Sequence, residues 1–207
     1  MIPPEAAIGS ALAYLDWAGV AVFASSGALL AAAKRQTLVT FVFFAVVTGV
    51  GGGTMRDLLI GAPVFWIHQN VTLLICFVAA LAVWLMPRRA WDGRALLWLD
   101  AVGLAAYATY GAAKGLAYGV APLPAMAMGV LTACLGGIIR DVLAGDPSIL
   151  MRPELYVTAA ALSAALTVAL LTLGLPGAVA GPVAFLAGLT LRGAAIVRGL
   201  SLPVYRP

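Results

Sequence analysis

Two arginine–aspartate pairs, each preceded by glycines, are the residues whose types and spacing could do chemistry in this sequence. One pair lies in residues 51–63 and the other in residues 136–147, and both segments read Gly-Gly-x-x-Arg-Asp-x-Leu-x-Gly-x-Pro. Glycines weaken a helix, and arginine and aspartate need partners or water in an apolar setting. The pattern therefore indicates a polar site, built twice, that contacts ions or a polar ligand.

The residues around both motifs form the candidate site. Non-helical backbone at membrane depth survives only inside protein or beside a watery cavity, so we expect helices that are kinked at the glycines. The predicted pore-lining or gating residues are Gly51, Gly52, Gly53, Arg56, Asp57, Gly136, Gly137, Arg140, Asp141, Thr48 and Thr132. The threonine hydroxyls could face a dehydrating ion or bond back to their own helix. The arginines could instead be struts, and the glycines could only allow close helix approach.

Two further aspartates are the expected ion-pair partners of the arginines. Asp16 lies early in the first apolar run and Arg56 late in the second, so antiparallel helices bring them toward the same side. Asp100 and Arg140 hold the equivalent positions in the second copy. We therefore predict the pairs Asp16–Arg56 and Asp100–Arg140, which would neutralise both arginines.

The composition is that of an integral membrane protein. Of 207 residues, 63% are hydrophobic and 10% charged, whereas a soluble domain has about 25% charged residues. The net charge of +4 then reports topology and not nucleic-acid binding. His68 is the single histidine, and Cys76 and Cys134 lie in apolar runs, which argues against a metal site or a disulfide. No catalytic triad, carboxylate pair or phosphate loop stands in a suitable context, so we expect no enzyme and no cofactor.

Apolar runs and their breakers predict one all-α transmembrane domain, residues 1–207, with seven helices. A hydrocarbon core of roughly 30 Å needs about 20 helical residues. The predicted helices cover about residues 9–33, 37–60, 71–86, 95–113, 122–143, 154–173 and 177–196.

The motif belongs to an internal repeat. Arg140 − Arg56 gives an offset of 84 residues, which holds without a gap back to Asp16 and Asp100. Repeat one covers about residues 9–86, repeat two about residues 95–173, and helix seven is unpaired. Because three crossings turn the second unit upside down, the sequence predicts an inverted 3+3 repeat, a plan common in transporters and related pores.

Basic residues predict the orientation. One side carries Lys34, Arg35, Arg88, Arg89, Arg94, Arg152, Arg192, Arg198 and Arg206. Once the repeated Arg56 and Arg140 are set aside as intramembrane, the other side carries only Lys114, either a snorkelling lysine or a vestibule charge. The positive-inside tendency places the N-terminus outside and the C-terminus in the cytoplasm.

The doubled motif, the seven helices and the length resemble the prokaryotic branch of the trimeric intracellular cation (TRIC) channels, whose relatives are also labelled glycine transporters. The resemblance covers residue 16 to about residue 196. It implies a homotrimer in the cell (inner) membrane, with one hourglass pore per protomer that passes potassium and, less selectively, sodium. It also implies that helices two and five are kinked at their glycines.

The resemblance implies lipid partners as well. The animal relatives bind a phosphoinositide and carry a Lys-Glu-Val motif, which this sequence does not contain; ordinary bilayer lipids in grooves of the trimer are expected instead. No potassium-filter sequence is present, so we expect a weakly discriminating monovalent cation pore.

Three functions remain open at this point. The first is a passive potassium-permeable channel, and the second is a secondary transporter of a small zwitterion such as glycine. Inverted repeats and broken helices serve both. The third is a non-conducting structural membrane oligomer.

Overall fold

The computed structural model describes residues 10–87 and 93–205, and in these ranges the chain is helical. Seven α-helices follow one another: α1 Ser10–Ala33, α2 Leu38–Leu59, α3 Asn70–Leu85, α4 Gly93–Ala117, α5 Pro122–Leu143, α6 Val157–Thr172 and α7 Gly177–Arg198. A short 3₁₀ helix, Ile149–Met151, lies between α5 and α6. The all-α prediction with seven helices is confirmed, and most predicted ends are correct within a few residues.

The helices differ in their capacity to span a bilayer. Five of them (α1, α2, α4, α5 and α7) are long and apolar enough to cross a membrane. The third helix of each repeat, α3 or α6, has only 16 residues. At 1.5 Å per residue, 16 residues rise about 24 Å, less than the roughly 30 Å hydrocarbon core. These short helices therefore need thinning of the bilayer or polar cover at their ends.

Helices α2 and α5 end in the same way, which explains the last glycine of each motif. Gly61 and Gly145 have φ angles of 67° and 72°, a left-handed conformation that favours glycine. The next residue in each motif donates its backbone N–H to the carbonyl oxygen of the motif aspartate, Asp57 at 2.9 Å and Asp141 at 3.0 Å. The chain leaves both helices in one conformation, and this places the aspartates at matching helix ends.

The packing of the helices follows the repeat. In repeat one, α1 packs on α2 and α3, and α2 packs on α3; in repeat two, α4 packs on α5 and α6, and α5 packs on α6. The two repeats meet through α1 against α4 and through α2 against α5. The remaining helix, α7, packs chiefly on α6 and α4.

Helices α2 and α5 touch at the glycines of both motifs. A Cβ on Gly136 would lie 2.5 Å from the carbonyl oxygen of Thr48, and a Cβ on Gly52 would collide with the carbonyl oxygen of Thr132. Both helices are single uninterrupted segments at these glycines. Close approach of two backbones is therefore one role of the glycines, and a kink there stays a prediction.

Candidate functional site

The second cluster, which we define as Asp100, Arg140 and Asp141, is a buried ion-pair network. Arg140 Nη1 lies 2.9 Å from Asp100 Oδ1, and Arg140 Nε donates to Asp141 Oδ1 at 2.9 Å. Arg140 Nη1 also donates to Ser26 Oγ on α1 at 2.9 Å. Asp141 Oδ2 accepts the backbone N–H of Ile149 at 3.1 Å. The structure thus places Arg140 and Asp100 in the predicted pair, between α5 and α4.

The first cluster, which we define as Asp16, Arg56, Asp57 and Lys114, repeats part of this arrangement. Arg56 Nε donates to Asp57 Oδ1 at 2.8 Å. Asp57 Oδ2 accepts the backbone N–H of Phe65 at 3.0 Å. Lys114 Nζ on α4 lies 2.9 Å from Asp57 Oδ1, and its residue is only 1% exposed. Lys114 is therefore a buried partner of the motif and not a snorkelling side chain.

The described residues show no direct salt bridge between Asp16 and Arg56, although the two buried charges lie close enough to attract each other, so the pair stays a prediction. Arg56 is paired with its neighbour Asp57, and its guanidinium lies 5.1 Å from the ring centroid of Tyr110. Asp16 is buried, and its Oδ1 has no hydrogen-bond partner among the described residues. Lys114, which the prediction did not include, supplies a second cation at this cluster.

The two clusters carry different net charges. The first has two carboxylates (Asp16 and Asp57) and two cations, so its formal charge is zero. The second has two carboxylates and one arginine, so its formal charge is −1. Charges inside a protein are weakly screened and interact strongly. The difference in net charge therefore affects which ions can approach each cluster.

A cavity of about 80 Å³ opens onto the second cluster. It is lined by Leu30, Leu96, Leu97, Asp100, Arg140, Asp141, Asp146, Pro147, Ile149 and Arg152. At its rim Lys34 Nζ lies 2.5 Å from Asp146 Oδ1, and the two side chains are 39% and 35% exposed. The buried pair therefore lies beneath a polar rim.

The two predicted threonines lie in the core beside the helix crossing. Both are fully buried. The hydroxyl of Thr132 donates to the carbonyl oxygen of Met128 at 2.5 Å, which is the back-bonded alternative. The hydroxyl of Thr48 has no hydrogen-bond partner among the described residues. A Cβ on Gly27 would lie 2.6 Å from that hydroxyl, so Thr48 packs closely on α1.

At the other motif glycines, the missing Cβ leaves room for side chains from neighbouring segments. A Cβ on Gly53 would lie 2.7 Å from the ring of Phe65, and one on Gly137 would lie 3.1 Å from the hydroxyl of Tyr156. A Cβ on Gly51 would meet only the flexible end of Ile139, at 3.3 Å. The glycines at positions 53 and 137 therefore let aromatic side chains close over the two clusters.

Sequence reasoning missed a third ion pair, between the buried Arg192 and the partly exposed Glu154. Arg192 on α7 is 1% exposed, lies 2.6 Å from Glu154 Oε2 and sits over the ring of Tyr156 at 5.3 Å. Sequence reasoning used Arg192, near the end of α7, only as one of the basic residues that predict orientation in the membrane. The signal that could have found it is its position: six residues before the helix ends at Arg198, it lies inside an apolar span.

Two observations bear on metal and disulfide chemistry in the part of the chain that the structure describes. Residues 10–87 and 93–205 contain no group of three or more His, Cys, Asp or Glu side chains placed to hold a metal ion. Cys76 and Cys134 are both free and buried. The arrangement suits ion pairing and the transient binding of a hydrated cation, for which buried carboxylates and carbonyl oxygens are the usual ligands.

Comparison with protein families identifies the repeat independently. The family model described as "Glycine transporter" matches residues 13–88 and again residues 97–172. The two matches are offset by 97 − 13 = 84 residues, the offset of the doubled motif. Both clusters lie within these matches.

Curated relatives cover nearly the whole chain. A "UPF0126 membrane protein" of Vibrio cholerae is 38% identical over 210 residues, covering 99% of this chain and 87% of the relative. The UPF0126 inner membrane protein YadS of Escherichia coli strain K12 is 37% identical over 198 residues, covering 93% and 95%.

Solved structures share the fold at substantial identity. The TRIC channel orthologue from Rhodobacter sphaeroides is 43% identical, has a TM-score of 0.86 and matches 93% of this chain and 100% of its own. A second solved TRIC cation channel is 32% identical, with a TM-score of 0.82 and coverage of 94% and 97%. The TRIC channel of C. elegans, at 15% identity and a TM-score of 0.63, shares the fold alone. With the family model matching both repeats, the chain belongs to the prokaryotic branch of the trimeric intracellular cation channel family.

Proposed function

We propose that this protein is a monovalent cation channel, permeable to potassium, with one pore in each protomer of a homotrimer. The observation that carries the proposal is the similarity, at 43% identity and a TM-score of 0.86, to a solved trimeric cation channel orthologue. The trimer is proposed on that similarity. As a member of a channel family, the protein is not an enzyme.

The pathway that we propose runs between α2 and α5 and connects the two clusters. Because Gly52 and Gly136 bring the backbones of the two helices together, we propose that the pathway is narrowest there. Opening then requires these helices to separate or bend, so Gly51, Gly53 and Gly137 are proposed to permit that movement.

The charges support weak selectivity. Each arginine is neutralised by its neighbouring aspartate, Arg56 by Asp57 and Arg140 by Asp141, at 2.8 Å. A cation therefore meets no net repulsion from the guanidinium groups. Weak selectivity also agrees with a sequence that lacks a potassium-filter motif. We propose that both arginines gate or shape the pathway, so their neutralisation should change conductance or open probability.

The membrane setting is proposed from the charge distribution and the relatives. Curated relatives are described as membrane proteins, one of them as an inner membrane protein. We propose an integral inner-membrane protein with the N-terminus outside and the C-terminus in the cytoplasm. Ordinary bilayer lipids are proposed to fill grooves between the protomers.

A secondary transporter of glycine is the second candidate, because the matching family model carries the description "Glycine transporter". The same inverted helices could alternate access to a zwitterion held between the two clusters. A carboxylate of glycine would then need an unpaired cation. Within the described residues, Arg56, Arg140 and Lys114 are all paired with carboxylates, which favours the channel.

A flux assay in liposomes separates the candidates. Purified protein is reconstituted, and uptake of radioactive rubidium (a potassium substitute) and of labelled glycine is measured side by side, with protein-free liposomes as the control. We expect rubidium uptake that follows the imposed voltage and no glycine accumulation. Saturable glycine accumulation without rubidium flux would overturn the channel in favour of the transporter.

A further inference from the structure

The two clusters differ in the side chain that faces the aspartate of the motif. In the first cluster Lys114 Nζ lies 2.9 Å from Asp57 Oδ1. The repeat offset of 84 residues relates Lys114 to Leu30 and Asp57 to Asp141. An apolar side chain on α1 therefore stands in the second cluster where the first has an ammonium group.

The space beside Leu30 is the cavity of about 80 Å³. A second difference between the repeats leaves more space in this cavity. Ile149 lies at the position equivalent to Phe65, 84 residues earlier, and its side chain is smaller than the Phe65 ring. The Phe65 ring lies 6.0 Å from the Lys114 ammonium and closes that side of the first cluster. Since one water occupies about 30 Å³ in the liquid, the cavity can hold a small ion with part of its water shell.

A buried carboxylate oxygen is available at this cavity. Asp100 lines the cavity and is 2% exposed; its Oδ2 has no hydrogen-bond partner within 3.5 Å among the described residues, although the Tyr156 hydroxyl interacts with this carboxylate. Burying such an oxygen without a partner is costly. Asp141 also lines the cavity, and in the described part of the chain its Oδ1 accepts only from Arg140. Asp57 Oδ1, by contrast, accepts from Arg56 and is also paired with Lys114.

The charge of the second cluster fits one monovalent cation. Asp100 and Asp141 contribute two negative charges and Arg140 one positive charge, so the sum is −2 + 1 = −1. A single monovalent ion would bring the sum to zero, as Lys114 does in the first cluster. The Arg140 guanidinium, 2.9 Å from Asp100 Oδ1, opposes a divalent ion, which usually takes more carboxylate oxygens than this.

The rim of the cavity does not supply the missing charge. Asp146 is already paired with Lys34. Arg152 lines the cavity but is exposed, and charges in contact with water are screened over about 10 Å at 0.1 M salt. The deep part of the site therefore keeps its negative character.

We propose that the second cluster is a binding site for one small monovalent cation of the potassium or ammonium type, held by carboxylate oxygens of Asp100 and Asp141. The ion would take the place that corresponds to the Lys114 ammonium in the first cluster. This inference deepens the proposed function and rests on it for the identity of the ion, which would be the permeating one. The second cluster would then hold an exchangeable cation, whereas the first cluster holds the covalently attached ammonium group of Lys114.

The test is equilibrium binding of radioactive rubidium to the purified full-length protein in detergent, in a choline buffer, with competition by potassium. The variant Leu30→Lys carries the tethered ammonium of the first cluster into the cavity. We expect it to weaken rubidium binding at least about tenfold, because two unit charges about 4 Å apart repel strongly at an effective dielectric constant of about 20. The matched control Leu30→Met keeps an apolar side chain and should bind as the unmodified protein does.

The isosteric change Asp100→Asn keeps the proposal testable if Leu30→Lys does not fold. It removes the charge of one of the two carboxylates that would hold the ion, while Arg140 stays paired with Asp141, so rubidium binding should weaken at least about tenfold. A folded Leu30→Lys protein that binds rubidium as tightly as the control would overturn the site. A folded Asp100→Asn protein that binds rubidium as tightly as the unmodified protein would overturn it as well.

Current recordings on the same preparations separate this proposal from the proposed function. Potassium-competed rubidium binding without potassium currents would overturn the channel and leave the site in place. Potassium currents together with no competable binding would overturn the site and leave the channel in place. Displacement of rubidium by glycine but not by potassium would overturn both.

Discussion

An alanine at Gly136 tests the contact between α2 and α5 most sharply. Its Cβ would lie 2.5 Å from the carbonyl oxygen of Thr48, and ordinary van der Waals contact begins at 3.4 Å, so the helices must separate by about 3.4 − 2.5 = 0.9 Å. Overpacking of this kind costs about 1–3 kcal/mol, and a rigid backbone carbonyl favours the upper end. Alanine regains about 1 kcal/mol in helix propensity. We therefore expect Gly136→Ala to lower the free energy of unfolding by about 2 kcal/mol.

The matched control is Gly51→Ala, in the equivalent motif. Its Cβ would meet only the flexible end of Ile139, at 3.3 Å, so the propensity gain offsets the small shift and stability should stay within about 1 kcal/mol. The assay is thermal or denaturant unfolding of the detergent-solubilised protein. Equal stability of Gly136→Ala and Gly51→Ala would refute the claim that the backbones touch at this glycine.

Three further predictions concern the ion pairs. Arg140→Gln leaves the Asp100 carboxylate buried without its cation, so unfolding measurements should show a loss of about 3–5 kcal/mol, and a loss below about 1 kcal/mol would contradict the pairing. Arg192→Gln should cost less, about 1.5–3 kcal/mol, because Glu154 is 32% exposed and water can replace the arginine; a larger loss than for Arg140→Gln would contradict that ranking. Lys34→Ala removes a pair at the surface and should change stability by less than about 1 kcal/mol. A larger change in the same unfolding measurements would contradict this expectation.

The architecture was accessible from the sequence because its signals are strong and repeated. Breakers such as Pro87 and the glycine at position 174 bound the apolar runs, and about 20 apolar residues specify a membrane helix. The ungapped offset between Arg56 and Arg140 is sufficient by itself to relate the two halves of the chain. The 3₁₀ helix Ile149–Met151 was missed, because three residues carry no periodic pattern.

The partners of the buried charges were only partly accessible. The pair Asp100–Arg140 was predicted from the order of the helices and from the depth of both residues in the membrane, since few other charged residues lie near them in the predicted helices. The pair Lys114–Asp57 was not predicted, because Lys114 comes from α4 in the other repeat, and no pattern along the chain shows that its side chain turns inward. A lysine near a helix end has the same sequence signature whether it is buried or in contact with water.

Arg192 illustrates the same limit. Its count among the basic residues helped to predict orientation, yet its side chain is buried against Glu154. Burial of a charge depends on what other elements bring to it, here the segment between the 3₁₀ helix and α6. Sequence patterning reports which face of a helix is apolar, but it does not report which partner neutralises a charge on that face.

Single-channel recording of the purified protein in a planar lipid bilayer, under a potassium chloride gradient, tests the central claim most directly. We predict discrete current steps that reverse near the potassium equilibrium potential, that shift only modestly when sodium replaces potassium, and that change in size or open time when Arg140 is replaced. A bilayer that stays silent with folded protein, or currents that reverse near the chloride equilibrium potential, would contradict the channel.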